Sequence, residues 1–96
     1  MSVYAVGLIN IADRDEYGKY EQGFMEIFER YEGKLLAVEE APTVLEGEWP
    51  WTRTVLLEFP DEEKLKAWYE SEAYQALAQH RFRGSEAAIA VIKGLG

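Results

Sequence analysis

Two segments of the chain carry apolar residues on both faces of a predicted strand. In Val3–Ile11, alternate side chains point to opposite faces: Val3, Ile9 and Ile11 lie on one, and Tyr4, Val6 and Leu8 on the other. In Thr52–Phe59, the residues Val55, Leu57 and Phe59 lie opposite Leu56 and Glu58. A strand that is apolar on both faces must be covered on both faces, so the predicted sheet needs a covering layer on each side.

A helix is predicted after the first strand. Asp13 is a suitable N-cap, and Glu16 three residues later completes a capping box. Large apolar side chains then recur at helical spacing, which predicts packing against a sheet: Tyr17, Tyr20, Phe24, Ile27, Phe28 and Tyr31. Gly33 is predicted to end this helix from the C′ position.

The middle of the chain predicts a second strand over Lys34–Glu39. We expect this strand to continue, with a kink at Ala41–Pro42, through Val44–Glu46. Because proline lacks the N–H that a central ladder needs, an edge or bulge position is implied.

The last third of the chain predicts helical structure followed by a final strand. Asp61 is the expected N-cap of a second helix, whose apolar side holds Leu65, Trp68 and Tyr69. Ser71 is expected to cap a further short helix, which Gly84–Ser85 ends. The apolar face of that short helix consists of Ala73, Tyr74, Leu77 and Ala78. Ala87–Lys93 is the last predicted strand.

The resulting order, β-α-β-β-α-β, predicts an α+β ferredoxin-like fold with a four-stranded antiparallel sheet and helices on one face. With 96 residues, the chain is expected to form one domain, 1–96. Since the helices cover one sheet face only, we expect a second copy of the chain to cover the other, in a two-fold homodimer. A ligand site would then lie between sheet and helices or inside the barrel that two sheets form.

Composition narrows the possible partners. The net charge of −8 repels phosphate backbones and anionic headgroups, so neither nucleic acid nor a membrane is an expected partner. The chain has no cysteine, which excludes disulfides and thiolate metal sites and fits a cytoplasmic location. Nothing at the N-terminus resembles a signal peptide.

Three ordered motifs resemble those of the domain of unknown function 1330 family, and the likeness covers essentially the whole chain. The matching positions are Val44, Leu45, Glu46, Gly47, Trp49, Pro50 and Arg53, then Glu58, Phe59 and Pro60, then Trp68, Tyr69, Ser71, Tyr74, Leu77 and Arg81, with Gly33 and Lys34 as a further step. The resemblance implies the dimeric α/β-barrel superfamily, in agreement with the two-faced strands. It implies no activity, since the family is named for lacking one, and it does not extend to Trp51 or His80.

The segment VLEGEWPWTR, residues 44–53, holds three candidate ligand-binding residues. Trp49 either plugs the hairpin end or dimer seam or forms a pocket wall. Glu46 and Arg53 flank the hairpin, so the two strands are expected to bring them together. Arg53 is then either half of a structural ion pair or an anchor for a ligand carboxylate, which a guanidinium binds in a two-pronged fork.

Further candidates lie on the third strand and on the later helices. Glu58 shares a face with Leu56, and a carboxylate in a covered interior can act as a general acid or base. Trp68 and Ser71 are most simply a core residue and a helix cap. Aromatic and basic side chains nearby are expected to turn polar tips into a cleft: Tyr69, Tyr74 and Arg81.

Several functions fit these residues. The first is a catalyst without cofactor or metal that acts on a small organic acid or aromatic. Arg53 would hold the anion, Glu58 would move a proton, and Trp49, Trp68 and Tyr69 would form the pocket wall. The second is a non-catalytic binding module, and the third is a structural dimer without a ligand. A remote alternative is a haem-degrading monooxygenase, since such relatives use an Asn, a Trp and a His, here Asn10, Trp68 and His80. With a single histidine, a two-histidine metal site is excluded.

Overall fold

The computed structural model describes residues 1–96 and contains four strands and three helices. In chain order they are β1 Val3–Ile11, α1 Arg14–Glu29, β2 Lys34–Glu39, β3 Arg53–Phe59, α2 Glu62–Glu70, α3 Glu72–Gly84 and β4 Ser85–Lys93. The strands form one antiparallel sheet in the order β2-β3-β1-β4. The predicted ferredoxin-like α+β fold is therefore confirmed, and its second helical region consists of two helices, as expected.

Helix α1 begins as predicted but ends differently. The side chain of Asp13 accepts hydrogen bonds from the backbone N–H groups of Asp15 and Glu16, each at 3.1 Å. Glu16 does not complete the capping box, because its carboxylate binds side chains of α3 instead. The left-handed residue after the helix is Glu32, with φ 63°, and not Gly33. Gly33 is required for another reason: a Cβ there would overlap the ring of Phe28.

The prediction that β2 continues through Val44–Glu46 is wrong, because β2 ends at Glu39 and residues 40–52 form a loop. The chain turns at this point, since the N–H of Ala41 donates to the carboxylate of Glu39 at 3.1 Å and Pro42 has no N–H to offer a ladder. The last two strands begin at Arg53 and Ser85, within one or two residues of the predicted starts.

Side-chain caps mark the start of α2 and the boundary between α2 and α3. Asp61 accepts a hydrogen bond from the N–H of Lys64 at 2.8 Å and starts α2. Ser71 ends α2 by donating to the carbonyl of Trp68 at 2.8 Å, and it starts α3 by accepting from the N–H of Tyr74 at 3.1 Å. Both predicted caps are confirmed. No helix of the chain is long and apolar enough to cross a membrane.

The two sheet faces differ in how well they are covered. The helices pack on the face that holds Val3, Ala5, Ile9, Leu57 and Phe59, all of them buried. The opposite face, called the open face below, is also largely apolar and is only partly shielded from solvent. Its apolar side chains are Tyr4, Val6, Leu8, Leu56 and Ile92, the last of which is 52% exposed. The two-faced apolar pattern thus corresponds to one packed face and one uncovered face.

Candidate functional site

A cavity of about 200 Å³ lies between the sheet and the helices. Small and branched side chains of the sheet line one side: Ala5, Gly7, Val55 and Leu57. Aromatic side chains of the three helices line the other: Tyr17, Tyr20, Phe24, Trp68, Tyr69 and Tyr74. Their helical spacing places these aromatic residues on the side of each helix that faces the sheet. They therefore lie opposite the sheet residues across the cavity.

Gly7 shapes the sheet side of this cavity. It lies in the middle of β1, is buried, and pairs with Val55 on one side and Ile89 on the other. A Cβ at this position would come within 2.8 Å of the Cγ2 atom of Val55. A glycine in a strand interior often marks a place where a ligand or another chain segment approaches the backbone closely, and here it faces the cavity.

Arg81 is the one buried charged residue of the protein, with 5% of its surface exposed. It follows Tyr74 by seven residues and Ala78 by three on α3, so it shares their buried helix face. The guanidinium carbon lies 5.7 Å from the ring centre of Tyr20 and 4.8 Å from that of Phe82. Arg81 takes part in none of the ion pairs of the chain, so its charge faces the cavity without a carboxylate partner.

The charge of Arg53, in contrast, has acidic partners. It contacts Glu21 at 3.2 Å and Glu40 at 3.1 Å, and Glu40 also binds Arg14 at 3.0 Å. The hydrogen bonds from Arg14 and Arg53 hold the pKa of Glu40 below its ordinary value. Two cations and two carboxylates make this network neutral. The predicted Glu46–Arg53 pair is wrong, because the loop places Glu40 beside Arg53 and leaves Glu46 exposed.

Three buried side-chain donors have no hydrogen-bond partner within the chain, and all three belong to residues that line the cavity. They are the Nε–H groups of Arg53 and Arg81 and the indole N–H of Trp68. Leaving such a donor unpaired costs about 1–3 kcal/mol, and more for a charged group. The three unpaired donors therefore lie around one cavity, in residues that belong to its lining.

A pair of tyrosine hydroxyls adds to this donor-rich wall. The hydroxyl groups of Tyr20 and Tyr74 lie 2.7 Å apart in a buried hydrogen bond. Burial raises the pKa of Tyr74 and raises that of Tyr20 well above its ordinary value. Both hydroxyls therefore stay protonated at neutral pH and act as donors.

The structure brings five of the predicted site residues to the cavity and leaves three outside it. The five that line it are Arg53, Trp68, Tyr69, Tyr74 and Arg81. Glu46 is exposed, the indole N–H of Trp49 donates to Thr54 on the open face at 3.1 Å, and Glu58 lies on that face beside Tyr4.

The sequence interpretation missed Tyr17, Tyr20 and Glu21 as cavity residues. The apolar stripe of α1, to which both tyrosines belong, predicts core packing for them. Their hydroxyl groups were the available signal, since a buried tyrosine hydroxyl usually needs a polar partner.

The three residues of the haem-degrading alternative do not come together. Asn10 lies on β1 and accepts a hydrogen bond from the N–H of Thr52 at 3.1 Å, whereas Trp68 is buried among the helices. His80 lies outside the cavity lining and donates from Nδ1 to Glu16 at 2.6 Å. That hydrogen bond lowers the pKa of Glu16, and a hydrogen bond from Arg83 acts in the same direction. Although burial opposes both effects, the pKa of Glu16 falls to about 2. No group of three or more His, Asp or Glu side chains is arranged to hold a metal ion.

Comparisons with known proteins agree with this fold. The profile of the family described as a domain of unknown function, DUF1330, matches residues 2–95. No curated protein matches the chain.

Three solved structures illustrate the fold. A protein of unknown function from Rhodopseudomonas palustris has a TM-score of 0.82 and 17% identity, over 99% of this chain and 83% of that one. SnoaB, a cofactor-independent oxygenase from Streptomyces nogalater, has a TM-score of 0.70 and 10% identity, over 99% and 94%. A dimeric ferredoxin-like protein of unknown function from Jannaschia sp. has a TM-score of 0.71 and 11% identity, over 98% and 100%. At these identities the likeness concerns the fold.

Proposed function

We propose that this chain, which belongs to the DUF1330 family, binds a small organic acid with an aromatic body in the cavity between its sheet and helices. The observation that carries the proposal is Arg81, a buried guanidinium without an acidic partner in an aromatic cavity. Arg81 replaces Arg53 as the proposed anion anchor, because Glu21 and Glu40 already neutralise Arg53.

The energetics of Arg81 favour an anionic ligand. A guanidinium stays charged at any ordinary pH, and removing an ion from water costs several kcal/mol when no counter-charge accompanies it. A ligand carboxylate would supply that counter-charge and form charge-assisted hydrogen bonds. Because the protein as a whole carries a charge of −8, long-range attraction of anions is disfavoured and recognition must come from this local contact.

The shape of the cavity favours a flat ligand. Its walls are aromatic rings, which pack well against other rings in stacked or edge-on arrangements. Its volume of about 200 Å³ is below the ~300–1,000 Å³ of pockets for drug-sized molecules. We therefore propose a ligand of one or two rings that carries a single acidic group.

Calorimetric titration with naphthoate and its uncharged analogue naphthamide tests this proposal. The two probes share a ring system and differ in charge, so naphthoate is expected to bind roughly tenfold to a hundredfold more tightly, as charge-assisted hydrogen bonds of about 1.5–3 kcal/mol would give. Equal affinities would contradict an anion site at Arg81. No heat with either probe, or with benzoate, would leave the structural dimer as the better account.

We also propose that a second copy of the chain covers the open face. That face carries Tyr4, Val6, Leu8, Leu56 and Ile92, and an apolar surface of this kind is unusual on a monomer. The ferredoxin-like protein from Jannaschia sp. is described as dimeric, which supports the same assembly here. The expected complex is a homodimer with two sheets packed face to face.

Replacing Val6 by lysine should convert this dimer into monomers. Val6 lies on the open face of the central strand β1, paired with Leu56 and Ala90, so a lysine there would bury an unpaired charge between the sheets. Light scattering is expected to give the mass of two chains for the native protein and of one for the variant. Ala67→Lys, an equal change in charge at an exposed position of α2, should remain dimeric. A native mass of one chain would contradict the dimer.

Conversion of the bound molecule is the second candidate function. It is supported by the Tyr20–Tyr74 hydroxyl pair beside the cavity, which can donate a proton or a hydrogen bond. SnoaB, a cofactor-independent oxygenase, is an example of catalysis in a similar fold. Glu58 lies on the open face of the sheet and not at the cavity. A role for Glu58 in moving a proton would therefore require a ligand at the open face. Chromatographic analysis of the bound probe after prolonged incubation distinguishes conversion from binding without turnover.

A further inference from the structure

A second hollow adjoins the cavity at the edge strand β4 and is called the outer hollow below. It has a volume of about 300 Å³ and is lined by Tyr69, Arg81, Phe82, Ser85, Ala87 and Ile89. Three of these residues, Tyr69, Arg81 and Ile89, also line the cavity between sheet and helices. Since Tyr69 is 37% and Ile89 43% exposed, the cavity and the outer hollow meet at a rim that is open to solvent.

Arg81 lies at the boundary between the two spaces. Its guanidinium carbon is 5.7 Å from the ring centre of Tyr20, which lines the cavity only. The same carbon is 4.8 Å from the ring centre of Phe82, which lines the outer hollow only. A carboxylate bound to this guanidinium would therefore have the cavity on one side and the outer hollow on the other.

The outer hollow suits a small apolar group. Apart from Arg81, its one polar side chain is Ser85, whose hydroxyl already donates to the carbonyl of Arg81 at 2.7 Å and has no second proton to donate. The remaining side chains are apolar or aromatic: Tyr69, Phe82, Ala87 and Ile89. A group held there would gain mainly from the burial of apolar surface.

We propose that the site takes aromatic acids that are branched at the carbon next to the carboxylate. The ring occupies the cavity, the carboxylate binds Arg81, and the second substituent lies in the outer hollow. This inference rests on the proposed function, because it uses the same cavity and the same cation. It goes further by naming the substitution pattern of the ligand and by assigning Ala87, in the wall of the outer hollow, as a residue that determines specificity.

Such a site distinguishes the mirror-image forms of its ligand. The ring, the carboxylate and the substituent are all attached to one tetrahedral carbon, and each has a fixed place in the protein. Only one enantiomer can satisfy all three contacts together, and the other directs its substituent away from the outer hollow. Because each buried methylene adds roughly fourfold in affinity, an ethyl substituent in the outer hollow should add about fourfold to fifteenfold.

Calorimetric titration with phenylacetate and with each enantiomer of 2-phenylbutyrate tests this inference. One enantiomer is expected to bind about fourfold to fifteenfold more tightly than phenylacetate, and the other no more tightly than phenylacetate. Ala87→Phe fills the outer hollow and should abolish this gain, measured as the ratio to phenylacetate in the same variant. Ala76→Phe, at an exposed position of α3 that lines neither space, should retain the gain.

The outcomes separate this inference from the proposed function. Equal affinities for phenylacetate and both enantiomers would overturn the inference, while preferential binding of naphthoate over naphthamide would still uphold the anion site. An undiminished gain in Ala87→Phe would place the substituent elsewhere and would also overturn it. If Ala87→Phe loses phenylacetate together with the branched acid, the ring itself occupies the outer hollow and the inference is wrong. If no aromatic acid binds the native protein, both proposals fail.

A second variant is available in case Ala87→Phe does not fold. Leucine fills less of the outer hollow than phenylalanine, so Ala87→Leu is expected to reduce the gain without abolishing it. A gain equal to that of the native protein would exclude Ala87 from the site.

Discussion

Replacing Arg81 by methionine is expected to make the unliganded protein more stable by about 1–3 kcal/mol and to abolish binding of naphthoate. The gain in stability arises because a buried charge without a partner disappears, and hydrophobic replacements of buried ionic groups can stabilise by a few kcal/mol. The loss of cation–π contacts with Tyr20 and Phe82 offsets part of this gain. Methionine has a flexible, apolar side chain that can adapt to the space left by the arginine stem.

Chemical denaturation at fixed protein concentration measures the first effect, and calorimetric titration measures the second. The expected gain in stability together with the loss of binding is informative. If Arg81 served only in packing, replacing it would lower the stability of the protein. Arg30→Met provides the matched control: its guanidinium is exposed and paired with Glu26 at 3.1 Å, so both quantities should change little. A large loss of stability in Arg81→Met would contradict our account of Arg81 as an unsatisfied cation.

Replacing Trp68 by alanine is expected to lower the free energy of unfolding by about 3–5 kcal/mol. Trp68 is 4% exposed and joins the sheet to the helices. Its ring centre lies within about 6 Å of five other aromatic rings: Phe24, Phe28, Phe59, Tyr69 and Tyr74. A domain of this size has a total stability on the order of 5–15 kcal/mol, so truncation there should leave it close to unfolding at room temperature.

Trp68→Phe is the control at the same position. Phenylalanine retains a ring for these contacts and also removes the indole N–H, which has no partner in the chain. The two effects oppose each other, so the cost should be about 1 kcal/mol or less. Urea denaturation of both variants measures the difference. A loss below about 1 kcal/mol in Trp68→Ala would show that Trp68 is not a central core residue.

The parts of the fold that depend on local patterns were predictable from the sequence. Alternation of apolar residues gave the faces of β1 and β3, and the caps at Asp13, Asp61 and Ser71 were identified from short-range spacing. The extension of β2 failed because the turn after Glu39 depends on contacts that a local pattern does not contain. Glu40, a loop residue, is held by Arg14 and Arg53 from distant parts of the chain.

The candidate site was predictable only in part, for the same reason. The sequence predicts Arg81, Tyr69 and Tyr74 as site residues, but it favours Arg53 as the anion anchor because it does not show which acids lie beside Arg53 in the fold. A local sequence pattern does not show which carboxylates the fold will bring to a guanidinium. For Arg53 these are Glu21 and Glu40, which neutralise its charge. The burial of Arg81 follows from its place on the face of Tyr74 and Ala78, whereas its lack of an acidic partner appears only in three dimensions.

The most direct test of the central claim is the ¹H–¹⁵N spectrum of the arginine Nε–H groups, recorded while naphthoate is added. Arg81→Lys and Arg53→Lys identify the two relevant signals by their disappearance. We predict that the Arg81 signal shifts as its guanidinium gains a carboxylate partner, in proportion to the ligand bound, while the Arg30 signal stays in place. If naphthoate binds and the Arg81 signal does not move, or the Arg53 signal moves instead, Arg81 is not the anion anchor.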